Sequence, residues 1–253
     1  MRAASKQKIE YLLIDVSNSF TKLAFSTRDR VGRAIKIPTK KLTRGALEQH
    51  LGKRAVNAIV VSSVVPAKNR TIANAAGKTR VLFIDADCEL GVGVDYPAPQ
   101  TIGADRLANA AAVAELYGRP AIVVDFGTAV TFDVVSRDGN YVGGVIAPGL
   151  EAMTSFLYQR TALLPKLTLR EPASAIGRTT RAAMMSGAIY GYRGLVREII
   201  ARITQESFAR EKVRVVATGG YAELIARQLR EIEAVHPGLT LDGLRLIGNL
   251  NFD

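Results

Sequence analysis

The chain has 253 residues, 48% of them hydrophobic and 23% charged, and 34 Lys and Arg against 23 Asp and Glu leave a formal net charge of +11. That length allows one large domain or two smaller ones, and the ordinary apolar content excludes disordered and collagen-like chains. A single cysteine, Cys88, excludes a disulfide scaffold, and no apolar run approaches the roughly 20 residues of a membrane-spanning helix.

The basic excess favours anionic partners, whether nucleic acid, membrane lipid or a phosphorylated small molecule. A generally basic surface with no such partner accounts for the same balance. Arg2, Lys6 and Lys8 make the first residues basic, and the apolar piece behind them, Tyr11 to Ile14, is cut short by Asp15. That piece is too brief for a signal-peptide core, so a cytoplasmic protein is expected, with no membrane partner.

Residues 10–15 form a buried-strand pattern, and 20–26 alternate as the return strand of a hairpin. Residues 31–37 read as a third strand and Thr43 to Gly52 as a helix. The β-branched run from Ala55 to Pro66 predicts a buried parallel strand. A helix over Asn69 to Ala76 and a strand over Arg80 to Asp85 complete a first half. Leu90 to Gly103, rich in Gly and Pro, is expected to be a loop, and Ala104 to Leu116 an Ala-rich helix. A strand pair begins at Ala121, and a turn at Asp138–Gly139 leads into a further strand from Tyr141. Glu151 to Tyr158 and Thr179 to Ala209 read as helices. In the second of these Gly187, Gly191 and Gly194 predict close packing or a kink. Val213 to Gly220 is a last buried strand, with a helix over Tyr221 to Glu233 behind it. Strands alternating with helices place the chain in the α/β class.

An internal repeat organises these elements. The run LLIDVSNSFTKLAF from Leu12 parallels IVVDFGTAVTFDVV from Ile122, with Asp15 aligned to Asp125. A looser match joins IVVSSVVP from Ile59 to RVVATGGYA from Arg214. Buried strands resemble one another by chance, so each match alone carries little. Together they predict a duplicated α/β domain, residues 1–118 and 119–253, with a nucleotide cleft between the halves.

Three segments carry polar chemistry. In Asp15 to Lys22 (DVSNSFTK) an Asp ends a buried strand, and small turn residues let backbone N–H groups and hydroxyls face a phosphate, with Lys22 as a point charge. An ordinary hairpin with a polar turn fits the same residues, and the P-loop signature is absent. Asp125 to Thr131 (DFGTAVT) is a second such element, with hydroxyls at Thr128 and Thr131. Its D-F-G is not the protein-kinase signature, because the Gly-rich loop and H-R-D are missing. Asp15 and Asp125 could each bind or position a metal ion that bridges phosphate oxygens. Gly103 to Arg106 opens the Ala-rich helix. There Asp105 either caps the helix or accepts a proton from a substrate hydroxyl, and Arg106 offers a planar fork to a carboxylate or phosphate.

The remaining features read as structural. Thr218 to Gly220 fits either a strand-to-helix bend or a flat ligand against the backbone. Gly143–Gly144 and Pro148–Gly149 read as cleft walls. His50, His236 and Cys88 lack metal-ligand spacing. Arg193, Arg197 and Arg202 follow helical spacing and read as a solvated face.

Taken in order, these motifs resemble the type III pantothenate kinases of the actin, sugar-kinase and heat-shock ATPase superfamily, from about Tyr11 to Asn251. The family's D-V-G-N-T-x-x-K is similar to Asp15 to Lys22, its G-A-D-R to Gly103 to Arg106, and its D-F-G-T-A-x-T-F-D to Asp125 to Asp133. Its G-G-x-I-x-P-G-L resembles Gly143 to Leu150, and its T-G-G resembles Thr218 to Gly220. Further likenesses lie at Leu164–Pro165, Ile176 to Thr180, Met185 to Gly191 and Leu239 to Arg245.

The resemblance implies duplicated actin-like (ribonuclease H-like) domains. It also implies transfer of the ATP γ-phosphoryl group to the 4′-hydroxyl of pantothenate, the first step of coenzyme A biosynthesis. By that resemblance Asp15, Val16, Ser17, Asn18, Ser19, Phe20, Thr21 and Lys22 bind ATP, and Thr128 contacts it. Asp105 is the proton acceptor, and Tyr96, Gly103, Ala104, Asp105, Arg106 and Thr180 contact pantothenate. Asp125 holds a monovalent cation, potassium or ammonium, and magnesium accompanies ATP, with Asp15 as its candidate ligand. A homodimer is implied, with Thr180 to Ile203 at or near its interface.

One departure stands out. The family carries Gly where this chain has Ser17, and Thr where it has Ser19. A Cβ at Ser17 costs on the order of 1 kcal/mol if the turn requires positive φ there. That raises two alternatives to a pantothenate kinase: a non-catalytic nucleotide-binding regulator, or another small-molecule kinase of the same fold. A nucleic-acid partner is not expected, because helix-turn-helix, aromatic and zinc patterns are absent.

Overall fold

The computed structural model describes residues 10–52, 54–208 and 211–252. Arg2, Lys6 and Lys8, and Ala209 at the end of the long expected helix, lie outside the described residues. The chain forms two compact units.

The first unit carries β1 (Tyr11–Val16), β2 (Phe20–Ser26), β3 (Ile35–Pro38), β4 (Ala58–Ser63), β5 (Arg80–Phe83) and the two-residue β6 (Gly93–Val94). Its helices are α1 (Arg44–Leu51), α2 (Pro66–Ala76) and α3 (Ala104–Leu116). The sheet order is β3-β2-β1-β4-β5, antiparallel through β1–β2–β3 and parallel through β1–β4–β5. Every residue of β1 is buried, because both sheet faces are covered. Leu12, Ile14 and Val16 pack with Leu47 of α1 and Ile72 of α2, while Leu13 packs with Leu107 and Ala111 of α3. Burial of each such aliphatic side chain is worth about 1.5–3 kcal/mol.

The second unit spans Leu116–Pro237. It carries β7 (Ala121–Phe126), β8 (Ala129–Val135), β9 (Asn140–Pro148), β10 (Arg214–Gly219) and β11 (Ala234–Val235), with helices α4 (Leu150–Arg160), α5 (Thr180–Phe208) and α6 (Ala222–Ala226). Its strands run in the order β11-β10-β7-β8-β9. The core joins Ile122, Val124 and Phe126 of β7 to Ile189, Tyr192 and Val196 of α5.

The two units repeat one topology, and the repeat extends to register. Asp15 faces Lys22 across β1–β2 and Ser62 across β1–β4. Asp125 faces Thr131 across β7–β8 and Thr218 across β7–β10. The looser sequence match, from Ile59 and from Arg214, therefore joins strands in equivalent positions.

Several boundaries differ from expectation for local reasons. Pro66 ends no strand; it opens α2, where its missing N–H costs nothing. The third strand begins at Ile35, and Val31 forms only an isolated bridge to Ser26. The Leu90–Gly103 loop includes a 3₁₀ turn over Pro99–Thr101. Gly187, Gly191 and Gly194 do not interrupt α5, and the space a Cβ would occupy at each is open.

The last helix, α7 (Leu239–Asn251), groups with the first unit, which takes up the chain again from Gly238. The expected division at 118/119 thus differs at its C-terminal end. Gly243 brings the helix backbone against the carbonyl of Ala108, and Leu241, Leu244 and Ile247 are buried with Tyr11, Leu13 and Val60.

Candidate active site

In the first unit Asp15 is 3% exposed at the penultimate position of β1. Its Oδ2 lies 3.7 Å from Nζ of Lys22, the residue opposite it on β2. The turn between them is braced by Thr39. The Thr39 hydroxyl donates to the Ser17 carbonyl at 2.7 Å, and its N–H donates to the Ser19 carbonyl at 3.0 Å. The Ser17 N–H closes the turn on the Phe20 carbonyl at 3.1 Å. Asn18, Ser19 and Phe20 are left exposed at the tip. No described residue other than glycine has positive φ, so the strain anticipated at Ser17 does not arise.

Gly103 to Arg106 is brought to the same end of the sheet through Val64. The Val64 N–H donates to the Val16 carbonyl at 3.0 Å, and its Cγ1 would lie 3.5 Å from a Cβ at Gly103. Asp105 stands in the first turn of α3, half-buried, and its Oδ1 accepts the Arg106 N–H at 2.9 Å. A Cβ at Gly103 would fall 2.6 Å from that same Oδ1, so glycine leaves the carboxylate its room. Tyr96 is half-buried between β6 and the 3₁₀ turn.

In the second unit Gly219 carries φ +94° at the end of β10. A side chain there would meet Asp125 Oδ1 at 2.5 Å and the Phe126 nitrogen at 2.6 Å, which only glycine avoids. Gly149, ahead of α4, packs in the same way against the Thr128 carbonyl. Asp125, Thr128, Gly149 and Gly219 are thus gathered at one end of the second sheet. Tyr221 donates its hydroxyl to Glu151 at 3.2 Å beside them, and burial with this carboxylate raises its pKa. Thr180 opens α5 and is exposed, with Thr179 capping the helix through the Ala182 N–H.

Two further hydroxyls stand beside these aspartates. Ser62 Oγ and Thr218 Oγ1 are buried in register with Asp15 and Asp125, and each lacks a hydrogen-bond partner among the described residues. Buried hydroxyls of that kind point to a bound water, ion or ligand. Thr218 belongs to the Thr218–Gly220 motif of the sequence, whereas only the repeat, extended to the flanking strands, marks Ser62.

Other candidates take structural places. The His50 ring stacks on Phe25 at 5.1 Å, and Tyr117 and His236 share a 3.0 Å hydrogen bond. Arg193 corrects the expected solvated face: it is 5% exposed and forms a bidentate pair with Glu171 at 2.8 and 2.6 Å. Arg197 and Arg202 do lie at the surface, paired with Glu231 and Glu198. No cluster of three or more His, Cys, Asp or Glu suited to a metal occurs among the described residues. Nor is any described helix long and apolar enough to cross a membrane.

The fold defines the class: duplicated actin-like domains, as found in sugar kinases and related ATPases. A Campylobacter jejuni protein assigned to the Baf family of transcriptional activators has this fold at TM-score 0.60 and 18% identity, covering 94% of this chain and 97% of that one. A Sinorhizobium meliloti protein assigned as a 2-dehydro-3-deoxygalactonokinase has it at TM-score 0.59 and 16% identity, covering 95% and 98%. The family model for type III pantothenate kinase matches residues 11–202. The type III pantothenate kinase of Akkermansia muciniphila is 49% identical over 242 residues, covering 95% of this chain and 99% of that one. The chain belongs to the type III pantothenate kinase family.

Proposed function

We propose that this protein transfers the γ-phosphoryl group of ATP to the 4′-hydroxyl of pantothenate, the first step of coenzyme A biosynthesis. The observation that carries the reading is the placement of Gly103 to Arg106. Val64 ties this segment to the end of β1, so a half-buried carboxylate at a helix start stands beside a braced, polar hairpin turn.

In this reading the backbone and hydroxyls of Asp15 to Lys22 hold the ATP phosphates, and Thr128 adds a hydroxyl. Lys22 supplies positive charge, which phosphoryl transfer uses to offset charge on the transferring oxygens. Tyr96, Gly103, Ala104, Arg106 and Thr180 orient pantothenate, with the Arg106 fork suited to its carboxylate. Asp105 accepts the proton of the attacking hydroxyl. Positioning and electrostatics account for most of the rate in such a mechanism.

The buried Asp15 offers a hard oxygen donor of the kind magnesium takes, one or two carboxylates together with substrate phosphates. Magnesium bound with ATP neutralises phosphate charge. Asp125, beside backbone oxygens and the close approach at Gly219, is our candidate for the monovalent cation, potassium or ammonium. Homodimerisation through α5 is supported by the open, exposed row of Gly187, Gly191 and Gly194 beside exposed Tyr190. A cytoplasmic location fits an enzyme that draws on ATP.

Phosphopantothenate formation from ATP and pantothenate, with potassium replaced by sodium in a parallel sample, tests the reading. Product is expected with potassium and far less with sodium. Folded protein that gives no product under either salt overturns it. A panel of other hydroxyl acceptors separates pantothenate from a different small-molecule substrate.

A further inference from the structure

Between α4 and α5, residues 161–179 form neither helix nor strand. This strap lies along the start of α5 and is held mainly by polar pins. The Arg170 N–H donates to Met185 Sδ at 3.5 Å, and Arg181 donates to the Lys166 carbonyl at 3.0 Å. The Ser186 hydroxyl donates to the Ala175 carbonyl at 2.5 Å. Gly177 packs directly on the backbone of Ala182 and Ala183. Leu167 and Leu169 anchor the first part of the strap in the core, whereas Ile176 is 81% exposed. The part leading into Thr179 and Thr180 therefore has little apolar anchorage, the condition under which a segment opens locally at low cost.

The only ion pair tying this strap to the helix core among those described joins Glu171 to Arg193. Arg193 is itself fixed by two carbonyls of the α6 region, Leu224 at 2.8 Å and Ile225 at 3.3 Å. Removing the Glu171 charge leaves those two bonds in place. The Glu171 side chain is 50% exposed but that of Arg193 is only 6% exposed, so removing the carboxylate leaves the guanidinium on its two carbonyls alone and costs stability as well as local order. Hydrogen bonding from Arg193 holds the Glu171 carboxyl below its ordinary pKa, so the pair is intact at neutral pH.

We infer that Glu171 is a positioning residue for the acceptor substrate: through Arg193 it fixes the strap, and the strap fixes Thr180 at the start of α5. The inference rests on the reading that Thr180 contacts pantothenate. Small misplacements of a substrate-binding group cost large factors in rate or affinity, so a pair that fixes the strap can matter for binding beyond its share in folding.

The test is steady-state kinetics on Glu171→Gln, Glu171→Asp and Thr180→Ala, with unfolding temperature and amide exchange on the same proteins. For Glu171→Gln, the KM for pantothenate should rise fivefold or more and exchange over 164–179 should accelerate about tenfold. The KM for ATP should barely move, and the unfolding temperature should fall while the protein stays folded at the assay temperature, because buried Arg193 loses its carboxylate. Glu171→Asp, which keeps the charge, should recover part of the loss. An unchanged pantothenate KM in Glu171→Gln, or equal rises in both KM values with a lowered unfolding temperature, overturns the inference. Thr180→Ala separates the two claims. If it leaves the pantothenate KM unchanged, Thr180 leaves the site and the inference falls with it. If it raises that KM while Glu171→Gln does not, the Thr180 assignment stands and the positioning role is lost.

Discussion

Asp15 and Lys22 face each other across the β1–β2 ladder with 3.7 Å between carboxylate oxygen and ammonium nitrogen, the first nearly buried and the second partly open to solvent. Lys22 is thus oriented at one end by a buried carboxylate while its exposed side remains available to phosphate. Lys22→Met keeps most of the stem and removes the charge. It should raise the KM for ATP about tenfold, equivalent to about 1.4 kcal/mol, and should also lower stability, because it takes this cation away from the buried Asp15 carboxylate. ATP titration by calorimetry together with denaturant unfolding checks both parts.

Asp105 is expected to act as the proton acceptor, and its neighbour Gly103 leaves it room. Asp105→Asn should lower kcat by about 10²- to 10⁴-fold and leave ATP binding intact. Gly103→Ala would press a methyl within 2.6 Å of the Asp105 carboxylate and should also lower kcat, with the carboxylate chemically unchanged. Near-wild-type turnover in Asp105→Asn, measured by product formation, would remove this residue from the mechanism.

Ser17 stands where the resemblance leads one to expect glycine, yet its backbone lies outside the left-handed region. Ser17→Gly should therefore relieve nothing. The added freedom of the unfolded chain should lower stability by about 0.5–1 kcal/mol. The KM for ATP should stay within threefold of wild type. A large drop in that KM would show instead that the serine side chain crowds the phosphates.

Much of the fold is legible in the sequence. The β-branched runs around Asp15 and Asp125 marked the central strands because a strand buried on both faces leaves a continuous apolar run. The repeat followed from the two aspartates. What stayed hidden depended on distant partners. Periodicity identifies the apolar face of α7, but not that Gly243 would lodge it against Ala108 in the first unit. Arg193 read as a surface residue from helical spacing, because nothing local announces Glu171 on an irregular segment. Ser62 looks like an ordinary strand end until register sets it beside Asp15.

Gly219 is the position where backbone and site constrain each other most tightly. Alanine there faces a φ of +94° and overlaps both Asp125 Oδ1 and the Phe126 nitrogen. Gly219→Ala should destabilise the protein by about 2–4 kcal/mol, from the strained backbone and from overpacking. The displaced Asp125 carboxylate should also raise the potassium concentration needed for half-maximal activity. Thermal unfolding and a potassium titration of turnover measure the two effects separately. An unchanged potassium requirement in a folded variant would count against Asp125 as the cation ligand.

Cys88 supplies a pH-dependent readout of the first unit. Burial raises its thiol pKa against the opposing effect of a backbone hydrogen bond at Asp85, and the hydrogen bond from Sγ to Asp85 Oδ1 at 3.3 Å and the charges of Asp85 and Asp87 add to the rise. A raised pKa keeps the thiol neutral and unreactive near neutral pH. In the unfolded chain the group titrates near 8.5. Its contribution to stability is therefore complete below that value and falls away as pH rises through the higher folded value. Labelling by a thiol reagent at pH 8 should be at least about tenfold slower in the folded protein than in urea. Cys88→Ser should flatten the alkaline loss of stability. Equal labelling rates in the two states would show that the segment around Asp85 opens freely and that the thiol is not shielded.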